Sequence, residues 1–215
     1  RGVYALLRQS PPPSLPGTVV EAEALRRVLG AGSGSLLVGR GASKGELMSR
    51  NADGRLAKVR VLEFATHAAF ANELPGLAEP ALVLAAGPGP EDELFLASEA
   101  TQLRLNAEWV LLSACDTASP DSPEVRGLSG LSRAFFFAGA RSLMVSHWHV
   151  DDAVTSRLIP AVMAAERDEP GLSRAQALRK ASLAILDDPA LDRDGFTVAS
   201  PAAWAPFVLV GDPGP

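Results

Sequence analysis

Apolar segments with the composition of β-strands alternate along this chain with segments whose apolar residues recur at helical spacing. The clearest strand-like segments are Val59–Phe64, Ala107–Ser113 and Arg141–Val150, and helical patterns lie between and after them. Several of these segments are apolar on both faces, which is typical of strands buried in a parallel sheet. The alternation therefore predicts an α/β fold in which helices cover both faces of a mainly parallel sheet.

Shorter apolar runs extend this pattern. We predict further strands at Gly2–Leu7, Ser35–Val38 and Phe207–Val210. Two other runs, Pro80–Ala86 and Glu93–Ala97, flank a turn rich in Gly and Pro. They predict a hairpin inserted in the main fold at about residues 80–97.

Side chains that satisfy free backbone amides mark two helix starts. Thr18 and Glu21 stand at capping-box spacing and predict a helix that reaches Val28. Ser43 and Glu46 have the same spacing and predict a second, short helix.

The length of 215 residues suits one large domain. Residues 1–17 read as a strand and a Pro-rich loop at the truncated edge of this domain, and residues 18–215 as the domain itself. Because the sequence begins with Arg1 rather than Met, we expect it to be a fragment of a longer chain.

The composition excludes several classes of function. There are 20 Lys and Arg against 25 Asp and Glu, a net charge of −5, without the basic stripe that binds nucleic acid. No stretch approaches the roughly 18 apolar residues of a membrane span. The first residues lack the order of a secretion signal, and a single cysteine is typical of a reducing compartment. We therefore expect a cytoplasmic protein that binds neither nucleic acid nor membrane.

Cys115 and His67 are the most informative pair of residues. Each follows a predicted strand, and His67 lies 48 residues before Cys115. Parallel sheets hold their sites at the carboxyl ends of strands, where a thiol and an imidazole can meet. The alternatives are a small buried hydrophobe for Cys115 and a structurally bonded histidine for His67.

Other residues of interest favour no cofactor. His147 and His149 would share one face of a strand, as metal ligands can, but the sequence offers no third ligand nearby. The glycine-rich segment 39–45 lacks the ending of a phosphate-binding loop, and no dinucleotide fingerprint follows the first strand. We expect neither a metal nor a cofactor.

Several segments together resemble the CHAT domain, a member of the caspase-like superfamily that includes separases, gingipains and metacaspases. In the family's order they are LPGTVVEAEAL (15–25), LEFATHA (62–68), WVLLSACDTA (109–118), GLSGLSRAFFFAGARSLMVSHWHVDD (127–152), LSRAQALRKASLAIL (172–186) and WAPFVLVGDP (204–213). A histidine about 50 residues before the cysteine is also the caspase spacing. The resemblance implies a caspase-like three-layer α/β/α sandwich with a mainly parallel central sheet.

The resemblance also implies a cysteine endopeptidase with a Cys-His dyad. Carried over residue by residue, Cys115 is the nucleophile, His67 is the general base, and the backbone amides of Ala68 and Cys115 form the oxyanion hole. The family usually has Gly where this chain has Ala68, so the hole requires Ala in a conformation that Gly adopts easily. Similar domains follow tetratricopeptide repeats in bacterial proteins, which implies a bacterial source and such repeats in the same longer chain.

Separases and gingipains favour basic P1 residues, so the resemblance implies cleavage of a protein or peptide substrate after Arg or Lys. Asp151 or Asp152 is the expected counter-charge, with Asp116 and Trp148 as further substrate contacts. The substrate is expected to lie extended along the strand edge near Ser146–Val150. Each Asp has a structural alternative, as a helix N-cap or a turn residue. The rival function is a catalytically silent or latent CHAT-fold module for regulatory protein–protein contacts.

Overall fold

The structure is a computed structural model that describes residues 12–87, 92–113, 125–148, 151–193 and 195–214, with the backbone alone for residues 125–129. The helices are α1 Pro16–Val28, α2 Lys44–Ala52, α3 Ala97–Ala100, α4 Val125–Ala138, α5 Asp152–Asp168, α6 Arg174–Leu186 and α7 Pro201–Trp204. The strands are β1 Val61–Phe64, β2 His67–Ala69, β3 Ala81–Val83, β4 Leu94–Leu96, β5 Trp109–Leu112, β6 Ser142–Ser146 and β7 Phe207–Gly211. Among these residues no helix is long and apolar enough to cross a membrane.

Four strands form the central sheet in the order β1-β5-β6-β7. The first three are parallel, and β7 joins β6 antiparallel. Every residue of β5 and β6 is buried, because a strand covered by helices on both faces must be apolar on both sides. The predicted mainly parallel sheet between helices is therefore confirmed, and with it the α/β/α sandwich.

Alternate residues of each central strand contribute to two separate hydrophobic cores. On one face, Val110 and Leu112 of β5 pack with Phe135 of α4. On the other face, Trp109 and Leu111 pack with residues of α1, α5 and α6. Successive side chains of a strand point to opposite faces, so one short strand anchors both helical layers.

The second sheet contains β2, β3 and β4 in that order, all antiparallel. β3 and β4 pair within the region 80–97, where the sequence predicts a hairpin. β2 is not predicted from the sequence, which places His67 at the end of the strand that begins at Val59. His67 instead begins a strand of its own. In the structure β1 ends at Phe64, and the hydroxyl of Thr66 donates to the carbonyl of Val83, which draws the chain from β1 to β3.

The N-terminal predictions have different outcomes. The strand predicted at Gly2–Leu7 lies outside the described residues. The strand predicted at Ser35–Val38 is wrong: residues 33–35 form a 3₁₀ turn, and the extended backbone that follows joins neither sheet in the described part of the chain. The prediction for Ser43 is confirmed, because its hydroxyl accepts a hydrogen bond from the amide of Glu46 at 3.2 Å and caps α2.

The capping-box interpretation of Thr18 and Glu21 is wrong. α1 begins at Pro16, where proline suits the first helical turn because its missing amide proton would be unsatisfied there anyway. Thr18 therefore lies inside the helix, and its hydroxyl donates to the carbonyl of Leu15 at 2.7 Å. Glu21 faces inward and is only 2% exposed.

Candidate active site

His67 lies at the carboxyl edge of the central sheet, three residues past the end of β1. Its Nε2 atom is 2.8 Å from the carbonyl oxygen of Pro13, in the Pro-rich loop before α1. A carbonyl oxygen only accepts hydrogen bonds, so Nε2 carries the proton of the neutral ring and Nδ1 is left as the base. The loop thus fixes both the tautomer and the orientation of the imidazole.

The backbone amide of Ala68 points away from β3. The amide of Leu84 donates to the carbonyl of Glu93 at 2.8 Å, and hydrogen bonds alternate between the two sides of an antiparallel strand. Leu82 therefore also bonds toward β4, and Ala68, which lies opposite Leu82, is in a pair without ladder bonds to β3. Its φ is not positive, so this position requires no conformation reserved for glycine.

Cys115, Asp116 and His149 lie outside the described residues. The described chain continues one residue past β5, to Ser113. Leu112 is in parallel register with Phe64, so β5 and β1 end side by side. Ser113, the last described residue before Cys115, therefore follows β5 at the edge of the sheet where the chain leaves β1 toward His67.

Asp151 and Asp152 both have structural partners. Asp151 caps α5, where its Oδ1 accepts from two amides of the first turn at 3.0 and 3.3 Å, and it also forms an ion pair with Arg193. Asp152 Oδ2 accepts from the amide of Gly17 at 3.2 Å, in the first turn of α1. The approach requires glycine, because a Cβ at Gly17 would lie 2.4 Å from Cβ of Asp152.

Trp148 and His147 follow β6 and are both exposed. The indole Nε1 of Trp148 donates to the carbonyl of Ala202 at 3.0 Å. The amide of His147 donates to the carbonyl of Pro206 at 2.9 Å, which continues the pairing of β6 with β7. On this side, Ser146 and His147 are therefore already paired and cannot pair with an extended peptide.

Two carboxyl groups near this edge are not predicted from the sequence, and they belong to Glu21, which is buried, and Glu63, which is half-buried. Glu21 on α1 and Glu63 on β1 lie within hydrogen-bonding reach of one another, and Glu21 Oε2 is 3.5 Å from Ser113 Oγ. The Oε1 atom of each glutamate is buried and has no hydrogen-bond partner within the described ranges. The available signal was spacing, since Glu21 stands four residues before Leu25 and hence on the same helix face as that core residue.

Burial changes the acidity of both glutamates. It raises the pKa of Glu21 well above its ordinary value, and the neighbouring carboxyl groups of Glu63 and then Asp152 raise it further, against a hydrogen bond from Ser113 that lowers it. Burial also raises the pKa of Glu63 to about 7, opposed by the hydrogen bond with Glu21. Two adjacent buried carboxyl groups cannot both ionise cheaply, so the pair retains a proton.

The family model of the CHAT domain matches residues 4–212, nearly the whole chain. The matched range includes His67, Ala68 and Cys115, and the resemblance stated from the sequence segments is confirmed. Comparison with curated proteins gives no significant match.

Proposed function

Because the chain belongs to the CHAT domain family, a caspase-like family, we propose that it is a cysteine endopeptidase with Cys115 as nucleophile and His67 as general base. The observation that carries this proposal is the 2.8 Å hydrogen bond between His67 Nε2 and the carbonyl of Pro13. It leaves Nδ1 unprotonated in the neutral ring, which is the state in which a histidine can accept a proton from a thiol.

The proposed reaction begins with transfer of the Cys115 thiol proton to Nδ1 of His67. The thiolate attacks the scissile carbonyl carbon, and the carbonyl oxygen takes up the negative charge of the tetrahedral intermediate. The imidazolium then returns the proton to the leaving amine, which breaks the peptide bond and leaves a thioester on Cys115. Water, with His67 again as base, hydrolyses this thioester to a carboxylic acid and the free thiol. The Pro13 carbonyl stabilises the imidazolium at each stage.

The oxyanion would be bound by the backbone amides of Ala68 and Cys115. The direction of the Ala68 amide, away from β3, supports this assignment, because a ladder bond would otherwise consume the donor. Alanine causes no backbone strain at this position, since the φ of Ala68 is not positive. One such donor contributes on the order of 10²–10³ to the rate in enzymes that use it.

The substrate is proposed to be a protein or peptide with a basic P1 residue. Asp151 is an unsuitable counter-charge, because Arg193 and the first turn of α5 already engage its carboxylate. Asp152, which accepts from one backbone amide, and Asp116 are the preferred partners for the P1 side chain. Trp148 would contact the substrate from the end of β6.

The test uses the fact that the chain has a single cysteine. Alkylation of Cys115 by iodoacetamide is followed by mass spectrometry from pH 5 to 9 in the wild type, in His67→Ala and in His147→Ala. We expect the wild-type thiol to react at pH values well below the ordinary thiol pKa of about 8.5. Of the two substitutions, only His67→Ala should abolish this reactivity.

The control tests whether the effect is specific to one imidazole, because His147 is exposed and follows a different strand. A thiol that titrates normally in all three proteins would contradict the peptidase assignment. It would favour the rival function, a module for protein–protein contacts.

A further inference from the structure

The Glu21–Glu63 pair connects the two chain segments that meet at His67. Glu63 lies four residues before His67, on β1. Glu21 lies on α1, and the loop that precedes this helix carries Pro13, whose carbonyl accepts from His67. The contact between the two carboxyl groups therefore joins the strand that leads to His67 to the helix that follows the Pro13 loop.

The loop is tied to α1 and should move with it. The amide and the hydroxyl of Thr18 both donate to the carbonyl of Leu15, at 3.2 and 2.7 Å. Leu15 is two residues after Pro13, so a displacement of the first turn of α1 carries the Pro13 carbonyl along. A shift of even 1 Å would lengthen a 2.8 Å hydrogen bond beyond its useful range.

The charged groups that face the pair are all acidic. Within the described residues they are Glu21 from α1, Glu63 from β1 and Asp152 from α5, while β5 offers only the hydroxyl of Ser113. No cation compensates them there, so ionisation of Glu63 places a negative charge without a counter-charge beside Glu21. The cost of this buried charge weakens the docking of α1 on β1.

We propose that Glu21 and Glu63 are a proton-sharing positioning pair that docks α1 on the central sheet and thereby holds the Pro13 carbonyl against His67. The proposal rests on the proposed function only for the role of His67. The docking of α1 is independent of it. Neither glutamate touches the substrate; they act through the orientation of the base.

The raised pKa values of both carboxyl groups agree with this arrangement. Since the pKa of Glu63 is raised to about 7, the pair loses its first proton in the neutral range rather than near pH 4.5. Below this range α1 is docked, and above it the contact weakens.

The experiment compares the wild type with Glu63→Gln, which keeps a hydrogen-bonding amide at the same place but cannot ionise. Glu23→Gln is the matched control, because Glu23 lies on the same helix and pairs with Arg26 at the surface. Amide hydrogen exchange of residues 16–28, corrected for the intrinsic pH dependence, measures docking. The rate of Cys115 alkylation measures the site.

Between pH 6 and 8.5 we expect exchange in α1 to accelerate by at least about tenfold in the wild type and in Glu23→Gln. Glu63→Gln should hold its slow exchange throughout. The His67-dependent reactivity of Cys115 should fall with rising pH in the wild type and persist in Glu63→Gln. Glu21→Gln should behave like Glu63→Gln and serves as the second variant if one of them is unstable.

Three results would overturn the proposal, and they can be told apart. The same pH response of α1 exchange in Glu63→Gln and in the wild type would refute the docking role, even if Cys115 reactivity depends on His67. If amide exchange in α1 changes with pH while the His67-dependent alkylation of Cys115 does not, the positioning role would be refuted. A Cys115 reactivity that never depends on His67 would refute the positioning role together with the proposed function.

Discussion

Arg174 is a position where a single substitution should test how the layers of this fold are joined. The side chain is 8% exposed, and its Nη1 atom donates to Ser142 Oγ at 2.6 Å and to the carbonyl of Asp212 at 2.7 Å. The guanidinium carbon also lies 5.0 Å from the ring centroid of Trp109. The Nε atom of Arg174 is 3.6 Å from Oε1 of Glu166. One side chain thus links α6 to β5, to β6, to the end of α5 and to the residue after β7.

The expected cost of Arg174→Met follows from these contacts. Hydrogen bonds from a charged donor contribute about 1.5–3 kcal/mol each, and the contact with Trp109 adds about 1–2 kcal/mol. Methionine fills a similar volume and recovers about 1–2 kcal/mol through its own burial. We therefore expect the free energy of unfolding to fall by about 3–5 kcal/mol, the range found when one partner of a buried charged network is removed.

Urea denaturation at pH 7, monitored by circular dichroism, measures this difference. Arg167→Met is the matched control, because Arg167 is about half exposed and makes only surface contacts, an ion pair with Asp168 and a hydrogen bond to the carbonyl of Val28. It should cost less than about 1 kcal/mol. If Arg174→Met also stayed within about 1 kcal/mol of the wild type with an unchanged denaturant slope, the hydrogen-bond argument would be refuted.

Two further outcomes are expected where α1 meets the sheet and α5. Burial raises the pKa of Glu63 from 4.5 to about 7, so the folded chain binds this proton more tightly than the unfolded chain and loses stability as the pH rises through that interval. Glu63→Gln should therefore match the wild type near pH 4.5 and be more stable by about 1–3 kcal/mol in urea denaturation at pH 8; a more stable wild type at pH 8 would contradict this. Gly17→Ala should cost about 1–3 kcal/mol by thermal denaturation, since its Cβ would lie 2.4 Å from Cβ of Asp152. The control is Gly41→Ala, where a Cβ meets nothing within 4 Å, and an equal cost at both positions would disprove the steric argument.

The central sheet could be predicted because burial on both faces leaves a direct trace in composition. The predicted strand Ala107–Ser113 includes all of β5 and extends beyond it by two residues at the start and one at the end. The segment Ser35–Val38, which is wrongly predicted as a strand, is also mostly apolar. A strand, however, also requires a neighbouring strand with which it can pair. Apolar composition reports burial and does not report pairing.

The candidate site was less predictable, because its main contacts lack a sequence signature. Pro13 acts through a backbone carbonyl, which every residue possesses. Thr18 and Glu21 satisfy a local rule for a helix start, whereas the helix begins earlier and packing turns Glu21 inward. A local pattern that is typical of a helix start was overridden by tertiary contacts in this one.

The strand pairing also bears on how this chain reaches its folded state. Pairs of the central sheet join residues far apart in sequence, such as Val61 with Trp109 and Ser142 with Gly211. The small sheet pairs β2, β3 and β4 in sequence order over much shorter loops. Because loop closure must precede non-local pairing, we expect the small sheet to form early and the central sheet late. During that interval the most apolar strands, β5 and β6, are exposed to other chains, so the concentration at which the protein is refolded should decide its yield.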